Sequence, residues 1–170
     1  MSARGAALQA EKSTVMITRT VNAPRKLVFA AFTDPVHIAQ FWGPAGFAST
    51  VCEMDLRPGG KFRLEMRAPD GAIYTCEGTY REIVAPERVV YAGGPDCGHP
   101  CGGGIPPQAL VTITLAESAG QTTVTIETCF ESADGRDAAV KHGFSMGWEQ
   151  TLARLANLTE GAANLAAPPN

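Results

Sequence analysis

The stretch Asp134–Gly161, DGRDAAVKHGFSMGWEQTLARLANLTEG, decides how the rest of the chain can be arranged. Counted from Val140, the positions Val140, Gly143, Phe144, Gly147, Trp148, Thr151, Leu152 and Leu155 follow the spacing of one helical face. Lys141, Glu149, Gln150, Arg154 and Asn157 fall beside or behind it. Asp134 and Asp137 supply an N-cap and a first-turn carboxylate, and Gly161 is a natural residue just past a helix end. One helix over this stretch spans roughly 39 Å, enough to cross several strands. Two positions on its apolar face are glycine, each costing about 1 kcal/mol against alanine inside a helix. Gly143 and Gly147 therefore mark either very close packing on a sheet or a space left between Phe144 and Trp148. The space is the expectation carried forward.

Upstream of this helix the pattern is mostly of period two. Val15–Val21 alternates as a first strand, and Pro24 then opens a short helix with Leu27, Val28, Ala31 and Phe32 on its apolar stripe. Asp34 caps a second, with Pro35 at its first position and Ile38, Phe41 and Trp42 following. Strands are expected over 47–56, 61–67, 73–84, 88–92, 110–115 and 122–130. The segment from Lys61 to Arg67 sets Phe62, Leu64 and Met66 against Lys61, Arg63, Glu65 and Arg67. Strands joined by short turns form an antiparallel sheet, and its apolar face needs a cover that the last helix supplies. The fold class is α+β: a curved antiparallel sheet of about seven strands gripping a long C-terminal helix, with two short helices after the first strand. Residues 14–160 form one domain, with unstructured tails at 1–13 and 161–170.

The 170 residues suit one domain with a substantial core. A formal net charge of −3, with no basic cluster beyond Arg25-Lys26, makes nucleic acid and anionic membrane surfaces poor partners. The first 13 residues lack a signal-like apolar region and no 18-residue apolar run occurs, which points to no membrane insertion and to a cytoplasmic address. Five cysteines in that setting favour reduced thiols.

Several motifs resemble a known family: Asp55-Leu56-Arg57-Pro58-Gly59-Gly60-Lys61-Phe62, then Gly78-Thr79-Tyr80 running into Pro86-Glu87-Arg88-Val89-Val90-Tyr91, then His142 with Gly147-Trp148, Leu152 and Leu155. In this order they are similar to the single-domain activator-of-Hsp90-ATPase homologues of the START/Bet v 1-like superfamily. The resemblance spans roughly Val15 to Glu160. It implies the helix-grip architecture, with a cavity between sheet and long helix, and no single activity. Relatives of the fold include lipid and hormone carriers, polyketide cyclases, ring-hydroxylase subunits and a co-chaperone domain.

Candidate chemistry is sparse. With Asp70-Gly71 as a two-residue hairpin loop, Glu77 lies opposite Leu64 and faces the cavity, where a buried carboxylate would act as acid, base or anchor. A slip of one residue sends Glu77 to solvent and turns Tyr74, Cys76 and Tyr80 inward. His142 and His37 read as surface or end-capping residues. Cys97, His99 and Cys101, inside the Gly/Pro-rich segment 93–107, are a conceivable zinc set lacking a fourth ligand; a Cys97–Cys101 disulfide and a lid over the cavity are the alternatives. No cofactor is expected. The leading expectation is a binding protein for a small, largely apolar molecule, in contact with Trp42, Phe62, Leu64, Met66, Glu77, Tyr80, Gly143, Phe144, Gly147 and Trp148. The alternatives are a cyclase- or hydrolase-like enzyme using Glu77 with a tyrosine, and a chaperone-associated factor.

Overall fold

The computed structural model describes residues 12–94 and 108–166. Seven strands, β1 (Thr14–Val21), β2 (Ala48–Met54), β3 (Lys61–Arg67), β4 (Ile73–Val84), β5 (Arg88–Gly93), β6 (Leu110–Ser118) and β7 (Gln121–Cys129), form one antiparallel sheet. Its order is β1-β7-β6-β5-β4-β3-β2. Two short helices, α1 (Arg25–Thr33) and α2 (Pro35–Phe41), link β1 to β2, the sheet's two edges. Two more, α3 (Ala133–Lys141) and α4 (Phe144–Ala166), close the described chain. This is the α+β helix-grip arrangement. No helix of the described residues is long and apolar enough to cross a membrane.

The core lies between the inner face of the sheet and α1, α2 and α4. Phe62, Leu64 and Met66 of β3 are all buried, as strict alternation requires, together with Val111, Ile113 and Leu115 of β6 and Val124 and Ile126 of β7. On α4 the face from Phe144 through Gly147, Trp148, Thr151, Leu152 and Leu155 is buried, while Val140 on α3 is exposed. Helix α2 starts as its residues dictate: Asp34 accepts from the amide of Val36 at 2.8 Å, and Pro35 occupies the first position.

Four sequence expectations change. The helical stretch is two helices: Gly143 has φ +94°, a left-handed conformation that ends α3, and the chain re-enters a helix at Phe144. Ser132, whose hydroxyl accepts from the amide of Gly135 at 3.0 Å, caps α3 in place of Asp134. Gly161 does not end α4, which continues to Ala166; the cost of one glycine is small beside the burial of Leu155 and Thr159 in the preceding turn. A bulge between Ser49 and Val51 on β2 also breaks the expected alternation, so Ala48 and Thr50 are exposed while Cys52 and Met54 keep to the inner side.

Candidate functional site

The β3–β4 hairpin places the inner residues of the candidate site. Its loop has three residues, Pro69-Asp70-Gly71. The amide of Gly71 donates to Ala68 at 2.9 Å, the amide of Ala68 donates to Ala72 at 2.8 Å, and Gly71 has φ +88°. This is a type I turn followed by a left-handed glycine, the usual three-residue hairpin. The extra residue shifts the register by one from the two-residue reading. Leu64 opposes Cys76 and Arg63 opposes Glu77. Glu77 therefore lies on the outer face, with Oε1 3.2 Å from Nε of Arg63, and is not a cavity carboxylate. Cys76 and Tyr80 turn inward and are buried, and Tyr74 joins them at the edge of the core.

Tyr80 is fixed from its backbone. Its amide donates to Gly60 at 2.9 Å and its carbonyl accepts from Gly59 at 2.8 Å, so the Arg57-Pro58-Gly59-Gly60 turn docks on β4 at this residue. Two residues earlier, a Cβ at Gly78 would stand 2.5 Å from the Phe62 ring, so glycine lets that ring lie across β4. Phe62 then meets Tyr80 at 5.1 Å and, edge to face, Tyr91 of β5 at 5.3 Å between ring centroids.

These rings wall an interior cavity between the sheet and the two short helices. Its lining is Phe32, Ile38, Trp42, Met54, Phe62, Leu64, Tyr80, Val89, Tyr91 and Ile113, with no charged side chain. It has about 20 Å³ of room, enough for one water molecule. A second, open hollow of about 540 Å³ lies on the far side of Met54 and Phe62, which line both. Its other walls are mostly charged or polar: Glu53, Asp55, Lys61, Arg63, Glu77 and Thr79, with Gly78 and Gly94.

Four expected contact residues, Trp42, Phe62, Leu64 and Tyr80, thus line the interior cavity. Met66 is buried on the same sheet face without lining it. Gly143, Phe144, Gly147 and Trp148 are not among its walls. Phe144 packs on Phe130 at 5.2 Å and Trp148 packs edge to face on Trp42 at 5.3 Å. Sequence reading missed Phe32, Ile38, Met54, Val89, Tyr91 and Ile113. The alternation of Val89 and Tyr91 in β5 was the available signal for Tyr91.

The polar groups on this face are neutral. Burial pushes the Tyr91 phenol well above its usual ionisation range, with smaller contributions from Cys76 and Tyr80. Burial also raises Tyr80, and it raises Cys52 on β2 from 9.0 to about 11 with help from the charge of Asp34. The Tyr91 hydroxyl is buried and has no hydrogen-bond partner among the described residues. His142 caps the end of α3, its Nδ1 donating to Ala138 at 2.7 Å. Among the described residues no group of three or more His, Cys, Asp or Glu could hold a metal ion. Cys97, His99 and Cys101 lie outside the described residues.

The model of the family described as "Activator of Hsp90 ATPase homolog 1-like protein" matches residues 22–160. No curated protein matches. Among solved structures, a protein from Chromobacterium violaceum is 31% identical, with a TM-score of 0.71 over 87% of this chain and 97% of that one. A protein from Nitrosomonas europaea is 23% identical, with a TM-score of 0.78 over 89% and 96%. The AHSA1-like protein from Aeromonas hydrophila is 21% identical, with a TM-score of 0.69 over 92% and 99%.

Proposed function

The chain belongs to the Activator of Hsp90 ATPase homolog 1-like family, and from that premise we propose that it is a binding protein for a small, largely apolar molecule. The observation that carries this reading is the uncharged, aromatic-walled interior cavity, which shares Met54 and Phe62 as walls with the larger outer hollow. Small-molecule sites commonly occupy about 300–1,000 Å³ and are lined by apolar and aromatic groups with a few polar ones. The interior space alone is too small. Joined to the outer hollow by movement of the unbranched Met54 side chain, it comes within that range. A cyclase- or hydrolase-like reaction using Glu77 is not favoured, because that carboxylate is exposed, paired with Arg63 and no wall of the interior cavity.

The test is a titration with small aromatic compounds followed by tryptophan fluorescence, together with native mass spectrometry of the purified protein. Saturable one-to-one binding that perturbs Trp42, weakened by Val89→Leu, is the expected result. Val89 is buried on the cavity wall, and one added methylene takes up most of the closed space. Absence of any saturable response across the panel removes the reading.

A further inference from the structure

The Tyr91 hydroxyl is one of three buried side-chain polar atoms without a partner among the described residues, beside Arg25 Nε and Thr128 Oγ1. Tyr91 is 4% exposed, it lines the cavity, and its oxygen has no partner among the described residues. A buried donor left unsatisfied is costly, and nearly all such groups in native proteins find a partner. The cavity that Tyr91 lines has room for one water molecule, which a ligand atom able to accept a hydrogen bond from the hydroxyl could replace. The remaining walls narrow the chemistry further. None carries a charge, the charged residues lining only the outer hollow, so a carboxylate or ammonium on the part of the ligand beside Tyr91 would be buried without a counter-ion. Five of the ten are aromatic, namely Phe32, Trp42, Phe62, Tyr80 and Tyr91, which favours a flat ring offering faces and edges to them.

We propose that the ligand is an uncharged aromatic compound bearing a carbonyl or ether oxygen, and that this oxygen accepts a hydrogen bond from Tyr91. The proposal rests on the reading of the cavity as a binding site. Because burial holds the Tyr91 phenol protonated, it is a donor throughout the neutral range.

Three probes of nearly one shape separate the possibilities: acetophenone, which has a neutral carbonyl; α-methylstyrene, which has a methylene in its place; and benzoate, which is charged. Each is titrated into the whole protein and followed by NMR at the tryptophan indole signals. Acetophenone should bind about five- to tenfold more tightly than α-methylstyrene, as one buried hydrogen bond implies, and benzoate should bind more weakly than either. Tyr91→Phe removes only the hydroxyl, so the protein should still fold, as its unfolding midpoint will show. It should remove the advantage of acetophenone and leave α-methylstyrene unchanged. The carbonyl stretch of bound acetophenone should lie at lower frequency in the parent than in Tyr91→Phe. Equal binding of acetophenone and α-methylstyrene, or tight binding of benzoate, overturns the ligand class while leaving the cavity as a binding site. Failure of all three probes overturns both.

Discussion

Arg154 on α4 donates through Nη1 to the carbonyl oxygen of Gly43 at 3.0 Å, across the end of α2. The same guanidinium reaches the carbonyls of Trp42 at 3.3 Å, Pro44 at 3.2 Å and Gln40 at 3.2 Å. Beside it, Oε1 of Gln150 accepts from the amide of Ala45 at 3.0 Å. The last carbonyls of a helix need donors from outside it, and here α4 supplies them. The segment so tied carries Trp42, a wall of the cavity.

Arg154→Ala should therefore destabilise the protein by about 2–3 kcal/mol, the scale of a lost charge-assisted hydrogen bond with its acceptors left partly buried. Arg154→Lys should recover only part, because a point charge cannot serve four carbonyls as the planar fork does. Denaturant unfolding gives the magnitude, and the near-ultraviolet dichroism of Trp42 should weaken in the alanine variant. An unchanged spectrum and midpoint would show that the tie is dispensable.

Glu77→Gln should change stability by less than about 1 kcal/mol, because the pair with Arg63 is solvent-exposed on both sides, at 54% and 41%. Ligand affinity should change little, since Glu77 is a wall of the outer hollow and not of the interior cavity that Tyr80 and Tyr91 line. Affinity falling in proportion to the lost charge would return Glu77 to the site.

How far these features could be read in advance depended on what the local pattern constrains. Phe62, Leu64 and Met66 were legible because lysine, arginine and glutamate alternate with them, leaving one possible inner face. The inner face of β4 was not fixed in this way. Its side depends on the number of residues in the preceding turn, and Pro69 before Asp70-Gly71 was the sign of a three-residue loop. The break at Gly143 was hidden because Phe144, Trp148, Leu152 and Leu155 run on with unbroken helical spacing. The cavity itself depended on bringing together segments far apart in the chain, those that carry Phe32 and Ile113 for example, which no local pattern reports.

Gly143→Ala tests the helix break directly. A Cβ there would meet only Met146 Cε at 3.8 Å, so crowding is not the obstacle, and the φ of +94° is. The expected cost is about 1–2 kcal/mol, and Gly143→Asn should cost less, because asparagine tolerates the left-handed region better. Thermal unfolding of the two variants settles the order; a stabilised alanine variant would mean that α3 and α4 can join as one helix.

Met54→Ala opens the wall between the interior cavity and the outer hollow. Met54 opposes Phe62 in the β2–β3 register, and both line the two spaces. Truncation should raise the association rate of acetophenone several-fold. It should cost about 2 kcal/mol of stability, the low end for methionine because the residue is only partly buried. NMR line shapes give the rate. An unchanged rate would move the entrance elsewhere, to the Trp42 side.

Alkaline pH tests the neutral character of the inner face. Cys52 ionises at 9.0 ordinarily and at about 11 here, and the Tyr80 and Tyr91 phenols are shifted in the same direction by burial. A folded state that holds these protons more tightly than the unfolded chain gains stability that is fully present below the unfolded values. It is lost as pH rises through the folded ones. Stability should therefore fall from about pH 9 upward, first through Cys52 and then through the tyrosines, and Cys52→Ala should flatten the first part of the decline. Urea unfolding at several alkaline pH values measures the slope. In parallel, the phenolate absorbance of Tyr80 and Tyr91 should appear only with unfolding. Phenolate absorbance from Tyr91 in the folded protein near the ordinary tyrosine value of about 10, identified by its loss in Tyr91→Phe, would mean that water reaches the cavity freely. The hydroxyl would then be hydrated by bulk solvent and would offer a ligand oxygen no advantage over water.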